Sequence, residues 1–157
     1  MRERVSSSER LWRAGARDDS DPHDDDRPLD PIGHQQAERI RDWLVHEAPI
    51  VVRSSPYRRC VQTVDPLAAA LGLDVVVDER LAEGTPIEES WALVEEFVTT
   101  TAVLCSHGDV IPELVSRAQR RGMVVPGKSG CSKGSVWALR HWDDRTFATG
   151  LYTPVRV

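Results

Sequence analysis

The sequence predicts an α/β fold, a three-layer sandwich whose mostly parallel central sheet is flanked by helices, on three observations. Short apolar runs, IVV at 50–52, VVV at 75–77 and AVLCS at 102–106, read as buried strands. Each is separated from the next by a longer stretch whose apolar residues recur at helical spacing, and strands alternating with helices imply parallel pairing with helices on both faces. The carboxyl-terminal runs SVWALRHW and TFATGLY, on either side of DDR, read as a closing hairpin.

Residues 16–30, ARDDSDPHDDDRPLD, are acidic, proline-bearing and aperiodic, which predicts a long loop. Asp30 is placed to cap a helix over about 31–47, with Pro31 at its first position and Ala37, Ile40, Leu44 and Ala48 on one face. After the strand at 50–52, YRRCVQTVDPLAAALG supplies Cys60, Val64, Leu67 and Leu71 as a second apolar stripe that Gly72 closes. A third helix runs through Trp91, Val94, Phe97 and Val98, and a fourth from Val110 to about Arg120.

A chain of 157 residues without internal repeats is expected to form one domain, 1–157, with the first dozen residues atypical of it. A domain of this size buries about 68–70% of the surface its unfolded chain exposes, so no staple is required. No apolar run approaches the ~20 residues that span a bilayer, and MRERVSSSERLW has no apolar segment behind its charges, so neither membrane insertion nor secretion is expected. Cys60, Cys105 and Cys131 are odd in number and share no metal-binding spacing, which fits reduced thiols in a cytoplasmic protein. A net charge of −5 argues against nucleic acid as a partner, and any anion site must be local. No feature specifies an oligomeric state.

GMVVPGKS, residues 122–129, satisfies the phosphate-loop pattern GxxxxGK[ST]. That loop works only between a strand and a helix, where backbone N–H groups and the helix terminus cradle phosphate, and here a helix precedes it while SGCSKGS follows. A nucleotide-binding role is therefore not expected. DDSDPHDDD lacks the glycine and terminal glutamate of a calcium loop, so it is read as solvated and no metal site is assigned. The stretch VLCSHGDVIPEL stands apart, because it sets His107 at the carboxyl end of a buried strand, where open α/β sheets gather ligands.

Several linked motifs extend that signal. SSPYRRCVQT, ERLAEG, CSHGDV and KGSVWAL, together with RPLDPIGHQQA, occur in an order and spacing that resembles the histidine phosphatase superfamily, whose fold is the phosphoglycerate mutase-like one. The resemblance is strongest to its small phosphohistidine phosphatase branch, of the SixA type. It implies hydrolysis of a phosphohistidine protein or a phosphorylated small molecule without metal or organic cofactor. Residue by residue, it implies that Arg59 and Arg10 neutralise the phosphoryl group, that His107 donates to the transferring oxygens, and that Glu83 protonates the leaving oxygen. Cys131 and Lys133 are left as structural residues.

One family feature is missing. The nucleophile is the histidine of an Arg-His-Gly or Arg-His-Ala motif after the first strand, and alignment on Ala14 and Gly15 puts Arg10 on its arginine and Leu11 on its histidine. Leucine has no lone pair with which to attack phosphorus. The preceding VSSSE also does not read as the buried apolar strand expected there. Three accounts are compatible with the residues: a substituted or mistranslated start, a natural pseudoenzyme that keeps Arg59 and His107 as an anion site, or recruitment of another histidine such as His23. The functional expectation is accordingly a phosphatase-family domain whose activity is in question, with a non-catalytic phosphate-binding or interaction module as the alternative.

Overall fold

The computed structural model describes the backbone of residues 8–13 and the whole of residues 24–157. Six strands form one sheet: β1 (Ser8–Arg13), β2 (Val51–Ser54), β3 (Val75–Val77), β4 (Ala102–Ser106), β5 (Val136–Trp142) and β6 (Phe147–Thr153). Their order is β3-β2-β4-β1-β5-β6, with β1 to β4 mutually parallel and the β5–β6 hairpin joined antiparallel to β1. Four helices, α1 (Pro31–Leu44), α2 (Arg58–Leu71), α3 (Ile87–Glu96) and α4 (Val110–Arg120), complete the α/β sandwich.

The two faces of β4 show how the layers are assigned. Val103 and Cys105 join Ile40 and Leu44 of α1 and Cys60, Val64 and Leu67 of α2 in one buried cluster. Ala102 and Leu104 point the other way, into a cluster with Trp91 and Val94 of α3 and Ile111 and Leu114 of α4. Alternation of side chains along a strand thus divides one apolar run between two cores, which is why AVLCS shows no polar interruption.

Helix α1 begins as its sequence predicts. The Asp30 carboxylate accepts from the Gly33 N–H at 2.7 Å, with Pro31 at the first helical position. It ends three residues early, however, because 45–47 form a 3-10 turn and Ala48 adopts φ 48°, leaving Ala48 exposed rather than on the apolar face. The next strand is correspondingly shifted. Ile50 is 67% exposed, and β2 begins at Val51 and runs on to Ser54. Helix α2 closes as expected at Gly72, whose φ of 67° favours a residue without a Cβ, and Leu73 N–H returns to the Ala68 carbonyl at 2.9 Å.

Two expectations need comment. Ser8 and Glu9 of the polar start do lie in a central strand, paired with Arg140 and Leu139 of β5, while Arg10, Leu11 and Trp12 pair with both neighbours and Arg13 with β4. Backbone ladders on either side hold it there, a force that side-chain polarity does not report; Val5 to Ser7 lie outside the described residues. At the phosphate-loop pattern, Val124 makes a bridge to Thr149 and no helix follows within the described residues, as its flanking sequence predicts.

Candidate functional site

The strand ends that converge at the carboxyl edge of the sheet carry the site. Ser55 N–H continues the β2 ladder by donating to the Cys105 carbonyl at 2.9 Å, which locks the residue after β2 against the end of β4. Ser106 is held in turn by its hydroxyl, which donates to the Leu81 carbonyl at 2.7 Å. The next residue, His107, is only 3% exposed, and its carbonyl accepts from Val110 and Ile111 at 3.2 and 3.0 Å, so the first turn of α4 fixes its backbone.

Three contacts orient the imidazole. Its Nδ1 lies 3.3 Å from a terminal guanidinium nitrogen (Nη2) of Arg59 and its Nε2 lies 2.7 Å from Ser55 Oγ. Because a guanidinium only donates, Nδ1 accepts and Nε2 carries the ring proton toward Ser55. The Tyr57 ring packs edge-on at 4.6 Å, and the Ser55 hydroxyl also accepts from the Tyr57 N–H at 3.3 Å.

Arg59, in the first turn of α2, is 6% exposed. One terminal nitrogen (Nη1) donates to the Asp24 carbonyl at 2.8 Å, whereas Nη2 meets Asp24 Oδ2 at 3.2 Å and Glu83 Oε2 at 3.9 Å. The guanidinium carbon sits 5.0 Å over the Tyr57 ring. Its neighbour Arg58 is half exposed and pairs loosely with Asp26, so the two adjacent arginines have different environments. A second buried guanidinium belongs to Arg27, which is 6% exposed, forms an ion pair with Asp24, and has no hydrogen-bond partner at Nε.

Below the imidazole lies Cys60, whose Sγ is 3.6 Å from His107 Nε2. Burial opposes ionisation of this thiol, but hydrogen bonds with Cys105 and His107 and the positive charge of Arg59 outweigh it and bring its pKa down to about 6. Burial pushes the Cys105 thiol up instead. Both are fully buried beneath the site. Beside the charged groups opens a cleft of about 490 Å³ lined by Asp24, Asp25, Pro56, Tyr57 and Glu79. No group of three or more metal-ligating side chains occurs among the described residues.

Of the residues singled out in the sequence, Arg59, His107 and Glu83 therefore come together around one guanidinium nitrogen. Arg10 and Leu11 lie in β1, where Arg10 pairs with Val103 and Leu11 with Leu104; only their backbone is described. Arg13 pairs with Ser106, the residue before His107. His23 lies outside the described residues. Arg27, Ser55 and Asp24 were not singled out, although RPLD and SSPY stand inside the recognised motifs; an arginine beside proline carries no sign in sequence that it will be buried.

Known proteins resemble this chain in sequence and fold. The sequence model of the histidine phosphatase superfamily (branch 1) matches residues 11–86. The 8-oxo-(d)GTP phosphatase of Mycolicibacterium smegmatis is 29% identical over 146 residues, which is 90% of this chain. The chain spans 45% of the length of that relative. A structure of a candidate phosphohistidine phosphatase, SixA from Nakamurella multipartitia, superposes with a TM-score of 0.66 at 26% identity and covers 97% of this chain and 96% of that one. The protein histidine phosphatase SixA complexed with tungstate superposes with a TM-score of 0.70 at 19% identity, over 93% of this chain and 94% of the other, and so shares its fold.

Proposed function

We propose that this chain is a member of the histidine phosphatase superfamily, which it resembles in sequence and fold, and that its Arg59–His107 pair binds the phosphoryl group of a phosphohistidine or a phosphomonoester. The observation that carries this reading is the 3.3 Å approach of a buried guanidinium to a buried imidazole. A phosphoryl dianion needs rigid, permanently charged donors, and guanidinium supplies them in a planar fork. Arg27 adds a second guanidinium whose Nε has no hydrogen-bond partner among the described residues. Glu83, 3.9 Å from the same nitrogen of Arg59, is the group placed to protonate a leaving oxygen.

In this reading Arg59 and His107 supply the half of the reaction that stabilises charge, and no histidine stands at the aligned nucleophile position to form the covalent bond. Leu11, on which the motif alignment sets the nucleophile, pairs with Leu104, three residues short of His107, whereas Arg13 pairs with Ser106 and is followed in sequence by Ala14 as Ser106 is by His107. Neither leucine nor alanine offers a lone pair to phosphorus, and in this reading transfer through a phosphohistidine intermediate is closed. The chain acts in this reading as a phosphoryl-binding module. Retained hydrolysis is the second reading, favoured by the position of Glu83 near Arg59.

A turnover assay on a phosphohistidine peptide and an aryl phosphate separates the two. The wild-type protein is expected at background, and Arg59→Ala is expected to lose vanadate binding. Leu11→His should raise turnover, with Ala14→His tested beside it because Arg13, the preceding residue, is paired with Ser106 next to His107. Rescue should be partial, since a nucleophile misplaced by ~1 Å costs ~100-fold, and it should vanish when His107→Ala is added. Robust wild-type turnover that depends on His107 would overturn the binding-module reading.

A further inference from the structure

The Arg59 nitrogen nearest His107 is already occupied by an anion of the protein itself. Asp24 Oδ2 lies 3.2 Å from it, while the other carboxylate oxygen pairs with Arg27. One carboxylate therefore bridges two guanidinium groups whose side chains are each 7% exposed. A phosphoryl oxygen that bonds the same nitrogen competes with Asp24 Oδ2, because that nitrogen has two hydrogens and one is directed at His107 Nδ1, 3.3 Å away.

We propose that the Asp24 carboxylate is an internal competitor for the phosphoryl group, an affinity-setting residue that a bound phosphate displaces from between Arg27 and Arg59. The proposal rests on the phosphoryl-pocket reading above. Displacement leaves the site assembled. Arg59 keeps its 2.8 Å bond to the Asp24 backbone carbonyl, which does not depend on the side chain, and so remains aimed at His107. The carboxylate has somewhere to go, since the Asp24 side chain is 36% exposed and faces the open cleft shared with Asp25 and Tyr57. In its absence a tetrahedral oxyanion can span both guanidinium groups, and the unpartnered Arg27 Nε becomes a further donor to it.

A site occupied by its own counter-ion binds an external ligand more weakly by the fraction of time it stands open. Removing the competitor is therefore expected to tighten binding, whereas removing a residue that merely positions Arg59 would weaken it. The test is calorimetric titration of inorganic phosphate into the wild-type protein, Asp24→Ala, Asp24→Asn and Arg59→Ala, with thermal melts to confirm that each is folded. Asp24→Ala should bind phosphate about tenfold more tightly, the scale of one competing, partly exposed ion pair removed. Asp24→Asn, which keeps an acceptor but loses the charge, should fall between it and the wild type. Unchanged or weaker binding in Asp24→Ala would overturn the proposal. Phosphate binding that survives Arg59→Ala would instead overturn the pocket reading, and absence of binding in both wild type and Asp24→Ala would overturn both.

Discussion

Replacing Ser55 with alanine removes one hydroxyl from beneath His107, and the structure sets the size of the effect. The Ser55 side chain is wholly buried and His107 is 3% exposed, so water has no ready access to replace the 2.7 Å bond between Oγ and Nε2. Losing a hydrogen bond costs about 1 kcal/mol, and leaving a buried donor unmade adds about 1–3 kcal/mol. Here Nε2 keeps one weak partner, Cys60 Sγ at 3.6 Å, which holds the second contribution to its lower end. The Tyr57 N–H loses its acceptor as well. The expected destabilisation is about 2 kcal/mol, or a melting temperature lower by about 4–8 °C for a domain of this size. Urea unfolding followed by the fluorescence of the five tryptophans measures it. The slope should be unchanged and the midpoint lower. A loss under ~0.5 kcal/mol, the range of neutral surface changes, would show that the bond does not hold the imidazole and would refute the assignment of Ser55 as its positioning residue.

Two further outcomes follow from the ends of elements. Asp30→Ala removes the acceptor of the Gly33 N–H and should cost about 1 kcal/mol in urea unfolding; a change indistinguishable from zero would mean solvent caps the helix equally well. Asp78 is held below the usual aspartate range by its hydrogen bonds to Arg80, against the opposing effect of burial. Because its folded pKa is depressed, its contribution is present above the unfolded value and is lost as pH falls through the folded one. Asp78→Asn should therefore destabilise the protein by about 1 kcal/mol at pH 7 and converge with the wild type as acid protonates the carboxylate. A gap independent of pH would exclude the charge as its cause.

The sequence by itself determined the layering. The apolar runs at 75–77 and 102–106 are strands, that at 50–52 is one displaced to Val51–Ser54, and the helices between them begin and end close to their caps, because period and capping are local properties of the chain. It also pointed to Arg59 and His107, since linked motifs fix both the position after a strand and the residue type. Only the tertiary structure decided that Arg27 is buried as deeply as Arg59, that Ser55 rather than a carboxylate holds the His107 ring, and that Asp24 lies across both guanidinium groups. None of these has a local signature: the positions of Arg27 and Asp24 depend on a loop from the acidic tract folding back over the first turn of α2, a contact between residues 35 apart in the chain, and the Ser55–His107 bond depends on the ends of β2 and β4 lying side by side. The polar strand β1 is the same lesson in the backbone. SERLWR has no alternation that marks a central strand, yet it fills the space between β4 and β5 because both neighbours present unpaired N–H and carbonyl groups that a buried sheet must satisfy.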